Sequence, residues 1–276
     1  MSNLTQRFIT GIIGASLMIS AVIWNEYSFS ALFLFIAIMS MREFYTWSEK
    51  NQIQPQKILG LTSGIILYFY LSFFNNFIKP DFFLLIIPAL FCIFIVELYT
   101  KSENPFINIA FTILGIIYLA LPMALMNLIS KAGVHGVEGT HHPRIILGYL
   151  FLVWINDSGA YFFGKKFGKT KLFERISPKK TWEGSIGGGL VALIAASIIS
   201  KYFIDIRGMD WIFISIIVIV TGTLGDLVES MFKRSIHIKD SGHVLPGHGG
   251  FLDRFDSFFI SAPFVYMYLS LVNNSF

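Results

Sequence analysis

Ile145-Ile146-Leu147-Gly148-Tyr149-Leu150-Phe151-Leu152-Val153-Trp154-Ile155-Asn156-Asp157-Ser158-Gly159-Ala160-Tyr161 is an apolar run broken near its end by a carboxylate. A membrane-spanning helix needs about 20 mostly apolar residues, and residues 145–163 supply that length. An ionisable side chain at membrane depth costs about 2.5–3.5 kcal/mol on insertion scales. Asp157 is therefore expected to face protein or water rather than lipid. Asp157 and Tyr161 are four residues apart and share one helix face. Gly159 and Ala160 permit close approach of a neighbouring helix. The stretch predicts a membrane helix that carries part of a polar site, with a purely structural polar clamp as the bland alternative.

The rest of the chain is of the same kind. Of its 276 residues 54% are hydrophobic and 14% charged, with a mean hydropathy of +0.65. Soluble domains run at about 45–50% apolar and about 25% charged, so a water-soluble globule is excluded. The 29 Phe suit lipid-facing helices. Nine apolar segments are candidate spans: roughly 8–24, 28–46, 58–74, 82–99, 106–130, 145–163, 184–203, 211–229 and 255–272. The count becomes eight if one short segment lies in the interface. The fold class expected is all-α, a polytopic membrane helical bundle. The first two segments are separated only around Asn25-Glu26-Tyr27 and should form a tight hairpin. The first has no small-residue cleavage site before the next apolar run and is expected to be retained as a helix. The lone cysteine, Cys92, sits in an apolar run, which argues against an intrachain disulfide and against a Cys-based zinc site. No internal repeat stands out.

Charge sets an orientation. With a cytoplasmic N-terminus, sixteen Lys and Arg fall in cytoplasmic loops and five on the other side. That is the expected positive-inside bias. It also places the polar loops 164–181 and 230–254 on one side, as a shared site requires. Residues 1–140 read as a scaffold of spans and residues 141–276 as the half carrying the site. In the first half Glu97 reads as a helix-end or snorkelling acid. The loop with His135, His141 and His142 reads as solvated.

The densest polar chemistry lies between residues 225 and 256, with five acids, four Lys or Arg and three His. Asp226, Glu229, Ser230 and Lys233 follow one another at i, i+3, i+4 and i+7, so one helix face carries all four. Asp253 and Asp256 add a second acidic pair around the start of the last helix. Carboxylates in such numbers suit Mg²⁺, which prefers them together with substrate phosphate. Lys233, Arg234 and Lys239 are cations suited to phosphates. Gly247, Gly249 and Gly250 allow a backbone to approach a ligand closely. Upstream, Ser177-Pro178-Lys179-Lys180-Thr181-Trp182-Glu183-Gly184 places two ammonium groups beside a helix N-terminus, itself an anion site. Pro178 should stop the preceding chain, and Thr181 or Ser177 should cap the helix.

The combined string resembles the signature of the phosphatidate cytidylyltransferases. It comprises Ser230-x-Phe232-Lys233-Arg234, Lys239-Asp240-x-Gly242, then Leu245-Pro246-x-His248-Gly249-Gly250-Phe251-x-Asp253-Arg254-Phe255-Asp256. Asp157-Ser158-Gly159-Ala160-Tyr161 and the Ser177–Gly184 string are similar to that family's as well. The likeness covers about residues 150–260 and shows no departure inside the motifs. It implies a multi-pass enzyme of the cell membrane whose active site faces the cytoplasm. The implied reaction joins CTP and phosphatidate to give CDP-diacylglycerol and pyrophosphate. It further implies dependence on Mg²⁺ with room for a second cation, and a homodimer; no nucleic acid partner is expected.

On this reading Asp226, Asp253 and Asp256 hold metal. Lys233, Arg234, Lys239 and Arg254 contact phosphates, and Asp240 belongs to the same catalytic group. Asp157, Tyr161, Ser177, Lys179, Lys180, Glu229, Ser230, His248, Gly249 and Gly250 bind substrate. Two rivals stand beside it. One is a cytidylyltransferase for another lipid phosphate; the other is an ion-coupled transporter, which intramembrane acids also suit.

Overall fold

The computed structural model describes residues 3–74, 86–133, 140–236 and 249–273. Eleven α-helices account for most of them: α1 (Asn3–Trp24), α2 (Glu26–Lys50), α3 (Lys57–Phe69), α4 (Ile86–Tyr99), α5 (Pro105–Gly115), α6 (Leu121–Ser130), α7 (Pro143–Phe167), α8 (Trp182–Tyr202), α9 (Gly208–Ile217), α10 (Thr223–Ser235) and α11 (Leu252–Asn273). α5 and α6 join through a π-helical turn, Ile116–Ala120, and α9 and α10 through another, Val218–Gly222. The predicted segments overlap these helices, but 106–130 runs through α5 and α6, 211–229 through α9 and α10, and residues 82–85 lie outside the described residues. Among the described residues six helical stretches, with α5–α6 and α9–α10 each taken as one, are long and apolar enough to cross a membrane by length and composition, while Ile9–Trp24, Lys57–Phe73 and Ile86–Tyr99 are shorter apolar helices.

The chain divides into two compact units, Met1–Leu128 with Asp240–Arg254, and Ile129–Lys239 with Phe255–Phe276.

In the first unit, Asn25 is the whole α1–α2 connection. Its side chain accepts from Ser28 N–H at 2.8 Å and Ser28 Oγ accepts from Asn25 N–H at 3.2 Å, a reciprocal cap that restarts the helix at once. α2 is the central helix of this unit. Phe29, Phe33, Ile36, Ala37, Met41 and Phe44 form a buried stripe at three- and four-residue spacing. Tyr45 lies in a slot made by two glycines: a Cβ at Gly60 or Gly115 would stand 2.3 or 2.5 Å from its hydroxyl oxygen. That hydroxyl donates to Thr112 O at 2.8 Å. Lipid gives helices no hydrophobic reason to associate, so close packing and interhelical hydrogen bonds hold them together.

Glu97 lies in the last turn of α4, at a helix end as expected, but it is buried. It is 3% exposed, accepting from Gln56 Nε2 at 2.6 Å and Asn108 Nδ2 at 2.8 Å. It ties the α2–α3 loop to α4 and α5 instead of snorkelling to water. Glu43, in the middle of the α2 sequence pattern, was not singled out at all. It is 7% exposed and accepts from Phe251 and Leu252 N–H, both at 3.0 Å. It therefore caps the N-terminus of α11 from a helix some 208 residues earlier in the chain.

In the second unit, α7 and α8 run antiparallel along a seam of small residues. A Cβ at Gly159 would stand 2.9 Å from Gly188 Cα, one at Gly188 2.5 Å from Asn156 O, and one at Gly184 2.7 Å from Ala160 O. The connection between them is a correction to the expected basic loop. Lys171–Phe173 and Ser177–Thr181 pair as antiparallel strands β1 and β2, with Lys171 opposite Thr181 and Phe173 opposite Ser177. Pro178 does not end the segment: in a two-stranded ribbon both strands are edges, where proline is tolerated. Thr181 caps α8 as expected, accepting from Gly184 N–H at 3.2 Å. Glu183 accepts from the N–H groups of Lys169 and Thr170 at 3.1 Å and so fastens the ribbon to the helix. Tyr149 OH and Ser261 Oγ, 2.5 Å apart and buried, join α7 to α11. At the start of α7, His142 is half-buried rather than solvated, with Nδ1 3.2 Å from Asp205 Oδ1. His135 lies outside the described residues.

Candidate active site

The second unit contains a cavity of about 530 Å³. Three structural sources line it. α7 contributes Asn156, Asp157, Ala160, Tyr161, Gly164 and Lys165. The β2–α8 segment contributes Lys179, Lys180, Thr181 and Ser185. α10 contributes Thr223 and Asp226. The α7 residues form two adjacent rows at four-residue spacing, so one helix face supplies the wall. Gly164 and Gly184 bring α7 and α8 close enough for the ribbon to reach over that face.

Asp226 is the meeting point. Lys180 Nζ donates to Asp226 Oδ2, an ion pair about three-quarters buried on both sides. Ser257 Oγ, on α11, donates to Asp226 Oδ1 at 2.7 Å and lies 3.5 Å from Asp157 Oδ2. Ser257 N–H donates to Asp256 Oδ1 at 2.8 Å. Asp157 and Asp256 each lie within charge-interaction range of Asp226. α10 can come this near because Gly225 lacks a side chain: a Cβ there would stand 2.6 Å from Asp256 O. The π-helical turn Val218–Gly222 immediately precedes this part of α10. Such turns are frequent at functional sites.

The structure thus brings Asp157, Tyr161, Lys179, Lys180 and Asp226 to one cavity, with Asp256 beside Asp226. The other expected residues do not line the cavity, although Glu229 lies within charge-interaction range of Asp256. Glu229 is almost fully buried and pairs with Lys233 at 2.6 Å. Ser230 is half-buried and Arg234 exposed on the later turns of α10. Ser177 opens β2 opposite Phe173. Gly249, Gly250, Asp253 and Arg254 group with the first unit. There Asp253 Oδ2 accepts from Gly250 N–H at 3.1 Å, and Gly249 adopts φ +84°, a conformation that favours glycine. Lys239, Asp240 and His248 lie outside the described residues. Among the described residues, no three His, Cys, Asp or Glu side chains stand at a spacing that by itself encloses a metal ion.

Residues 5–272 match the model of the cytidylyltransferase family. This chain belongs to the cytidylyltransferase family. The phosphatidate cytidylyltransferase of Bacillus subtilis (strain 168) is 33% identical over 275 residues, which is 98% of this chain and 99% of that protein. The phosphatidate cytidylyltransferase of Staphylococcus aureus (strain COL) is 42% identical over 175 residues, 62% of this chain and 64% of its own. That of Staphylococcus saprophyticus is 34% identical over 239 residues, 85% and 86% of the two chains. The likeness therefore runs through the first-unit helices too, where the sequence shows only generic spans.

Several residues at this cytidylyltransferase's cavity escaped the sequence reading. Lys165 is four residues beyond Tyr161, so the same-face rule would have reached it. Thr223 lies three before Asp226 and follows from the same rule. Ser257 had no such signal, because a serine one residue past an acidic motif is indistinguishable from a packing residue. Nor had Asn156, 2% exposed, whose Oδ1 has no hydrogen-bond partner among the described residues.

Proposed function

We propose that this chain is a phosphatidate cytidylyltransferase, transferring CMP from CTP to phosphatidate with release of pyrophosphate. The observation that carries the reading is the cavity in which Asp157 and Asp226 face Lys165, Lys179 and Lys180 beside spanning helices. Kinship over nearly the whole chain with enzymes of that name supports it.

The chemistry asks for what these residues offer. A phosphate monoester oxygen of the lipid attacks the α-phosphorus of CTP. The bond to the β-phosphate oxygen breaks, and pyrophosphate departs. A phosphate monoester has a second pKa near 6, so the nucleophile is already anionic at neutral pH and needs no strong general base. The obstacle is bringing two polyanions together and stabilising charge on the leaving group. Lys165 and Lys179 present exposed ammonium groups along the cavity, and Lys180 reaches its floor. These cations orient the phosphates, and positioning of this kind supplies much of the rate.

The donor set fits a hard divalent cation such as Mg²⁺. Carboxylate and hydroxyl oxygens meet at Asp226, and the Lys180 ammonium paired with it supports a place for positive charge there. Asp226 and Asp256 would hold the ion, with Asp157 adjoining. Bound there, Mg²⁺ would offset charge on the triphosphate and on pyrophosphate. Asp253 remains a candidate third ligand, its Oδ2 already shared with Gly250.

The same reading takes all nine apolar segments as membrane-embedded, the N-terminus as cytoplasmic, the cavity as open to the cytoplasm, and the enzyme as a homodimer. The excess of Lys and Arg in the loops assigned to the cytoplasm supports the orientation. CTP then arrives from water while the diacyl chains stay in the bilayer.

The test is release of pyrophosphate from labelled CTP by purified protein in lipid nanodiscs. Phosphatidate should support turnover and EDTA should abolish it. If other lipid phosphates serve equally well and phosphatidate does not, the substrate assignment fails.

A further inference from the structure

Ser257 touches all three acids of the site. Its hydroxyl donates to Asp226 and lies 3.5 Å from Asp157 Oδ2, while its N–H donates to Asp256. It is 2% exposed, so bulk water does not compete for these contacts. Its backbone is held in place as well. Ser257 O accepts from Ser261 Oγ at 2.6 Å, and Ser261 in turn bonds Tyr149 on α7. α10 packs directly against it, since a Cβ at Gly225 would stand 3.2 Å from Ser257 Cα.

We propose that Ser257 is a positioning residue whose hydroxyl fixes the orientation in which Asp226 would meet a divalent cation, with Asp157 at the edge of its reach. The inference rests on the function proposed above. Three carboxylates repel one another, and the cost of that repulsion grows where water is excluded. A buried hydroxyl carries one proton. Here it goes to Asp226 Oδ1, in a charge-assisted bond stronger than a neutral one. Asp157 Oδ2 stands at the outer limit of the same hydroxyl's reach. Ser257 therefore orients the acid that Lys180 also holds, and it fixes which oxygen of Asp226 faces each partner. Loss of a group that orients a metal-binding carboxylate costs about 10–100-fold in metal affinity or activity.

The test uses purified full-length wild type, Ser257→Ala and Ser257→Thr, each compared in two ways. Binding of Mn²⁺ without substrate is followed by electron paramagnetic resonance, and kcat and KM for CTP are measured with phosphatidate. Ser257→Ala should weaken Mn²⁺ binding about 10–100-fold and lower kcat by a similar factor, while thermal unfolding in detergent moves little. Ser257→Thr, which keeps the hydroxyl, should recover most of both. Wild-type Mn²⁺ affinity and kcat in Ser257→Ala overturn the proposal, as does a folded Thr variant as impaired as Ala, or a wild type that binds no Mn²⁺. If Ser257→Ala fails to fold, Ser257→Cys replaces it, with similar shape and a weak donor; wild-type Mn²⁺ affinity there overturns the proposal too. A wild type that binds Mn²⁺ yet makes no pyrophosphate refutes the enzymatic assignment, and the Mn²⁺ comparison still decides Ser257.

Discussion

Lys180 Nζ donates to Asp226 Oδ2, tying the β-ribbon between α7 and α8 to the first turn of α10. The two residues are 46 positions apart, and the pair forms only because β2 carries Lys180 over the face of α7. An ammonium on a site carboxylate both neutralises it and stands ready to meet a phosphate.

Lys180→Met should therefore lower kcat/KM for CTP by about 100-fold or more, the usual scale for losing one preorganised charge donor. Lys180→Arg should not restore it, because a planar guanidinium does not reproduce a compact ammonium. Steady-state kinetics on folded, monodisperse protein checks both; full activity in the Arg variant would remove the geometric part of the reading.

The α11 acids should separate. Asp256→Asn should abolish nearly all turnover, since Asp256 stands beside Asp226. Asp253→Asn tests two roles at once. As a cap, Asn keeps an oxygen for Gly250 N–H and activity should survive. As a metal ligand, the same change should raise the Mg²⁺ concentration needed for half-maximal rate by about 10-fold or more. Mg²⁺ titrations of the two variants distinguish these outcomes.

Glu43→Ala should destabilise the protein. The carboxylate accepts the N–H groups of Phe251 and Leu252, and its removal leaves two buried donors at the start of α11 unpaired. Each such orphan costs about 1–3 kcal/mol. Thermal unfolding in detergent should show a clear drop for Ala and a smaller one for Gln, which keeps a single acceptor.

Gly188→Val should disrupt the α7–α8 seam. Even a bare Cβ there would stand 2.5 Å from Asn156 O, a backbone atom that cannot swing away. Overpacking of this kind costs about 1–3 kcal/mol, and more where backbone must move. Lower yield of folded protein, with residual activity reduced because Asp157 and Lys180 are mispositioned, is the expected result.

The amino-acid sequence by itself determined that the chain lives in a membrane as a helical bundle. Apolar runs of spanning length and sparse charge leave no other solvent for it. It also marked Asp157, Lys180, Asp226 and Asp256 as candidates for the chemistry, because they stand out as polar groups in oily surroundings. Only the tertiary structure decided which of them meet. Helical periodicity places residues on a face of one helix, but it does not say which faces of separate helices turn toward each other. Hence Asp226 and Lys233, alike in the sequence pattern, part company: one joins Lys180 and Ser257, the other pairs with Glu229. Glu43 and Ser257 were silent, and the burial of Glu97 was hidden, for the same reason. Their partners come from distant segments, and what makes each of them matter is a buried hydrogen bond that exists only after packing.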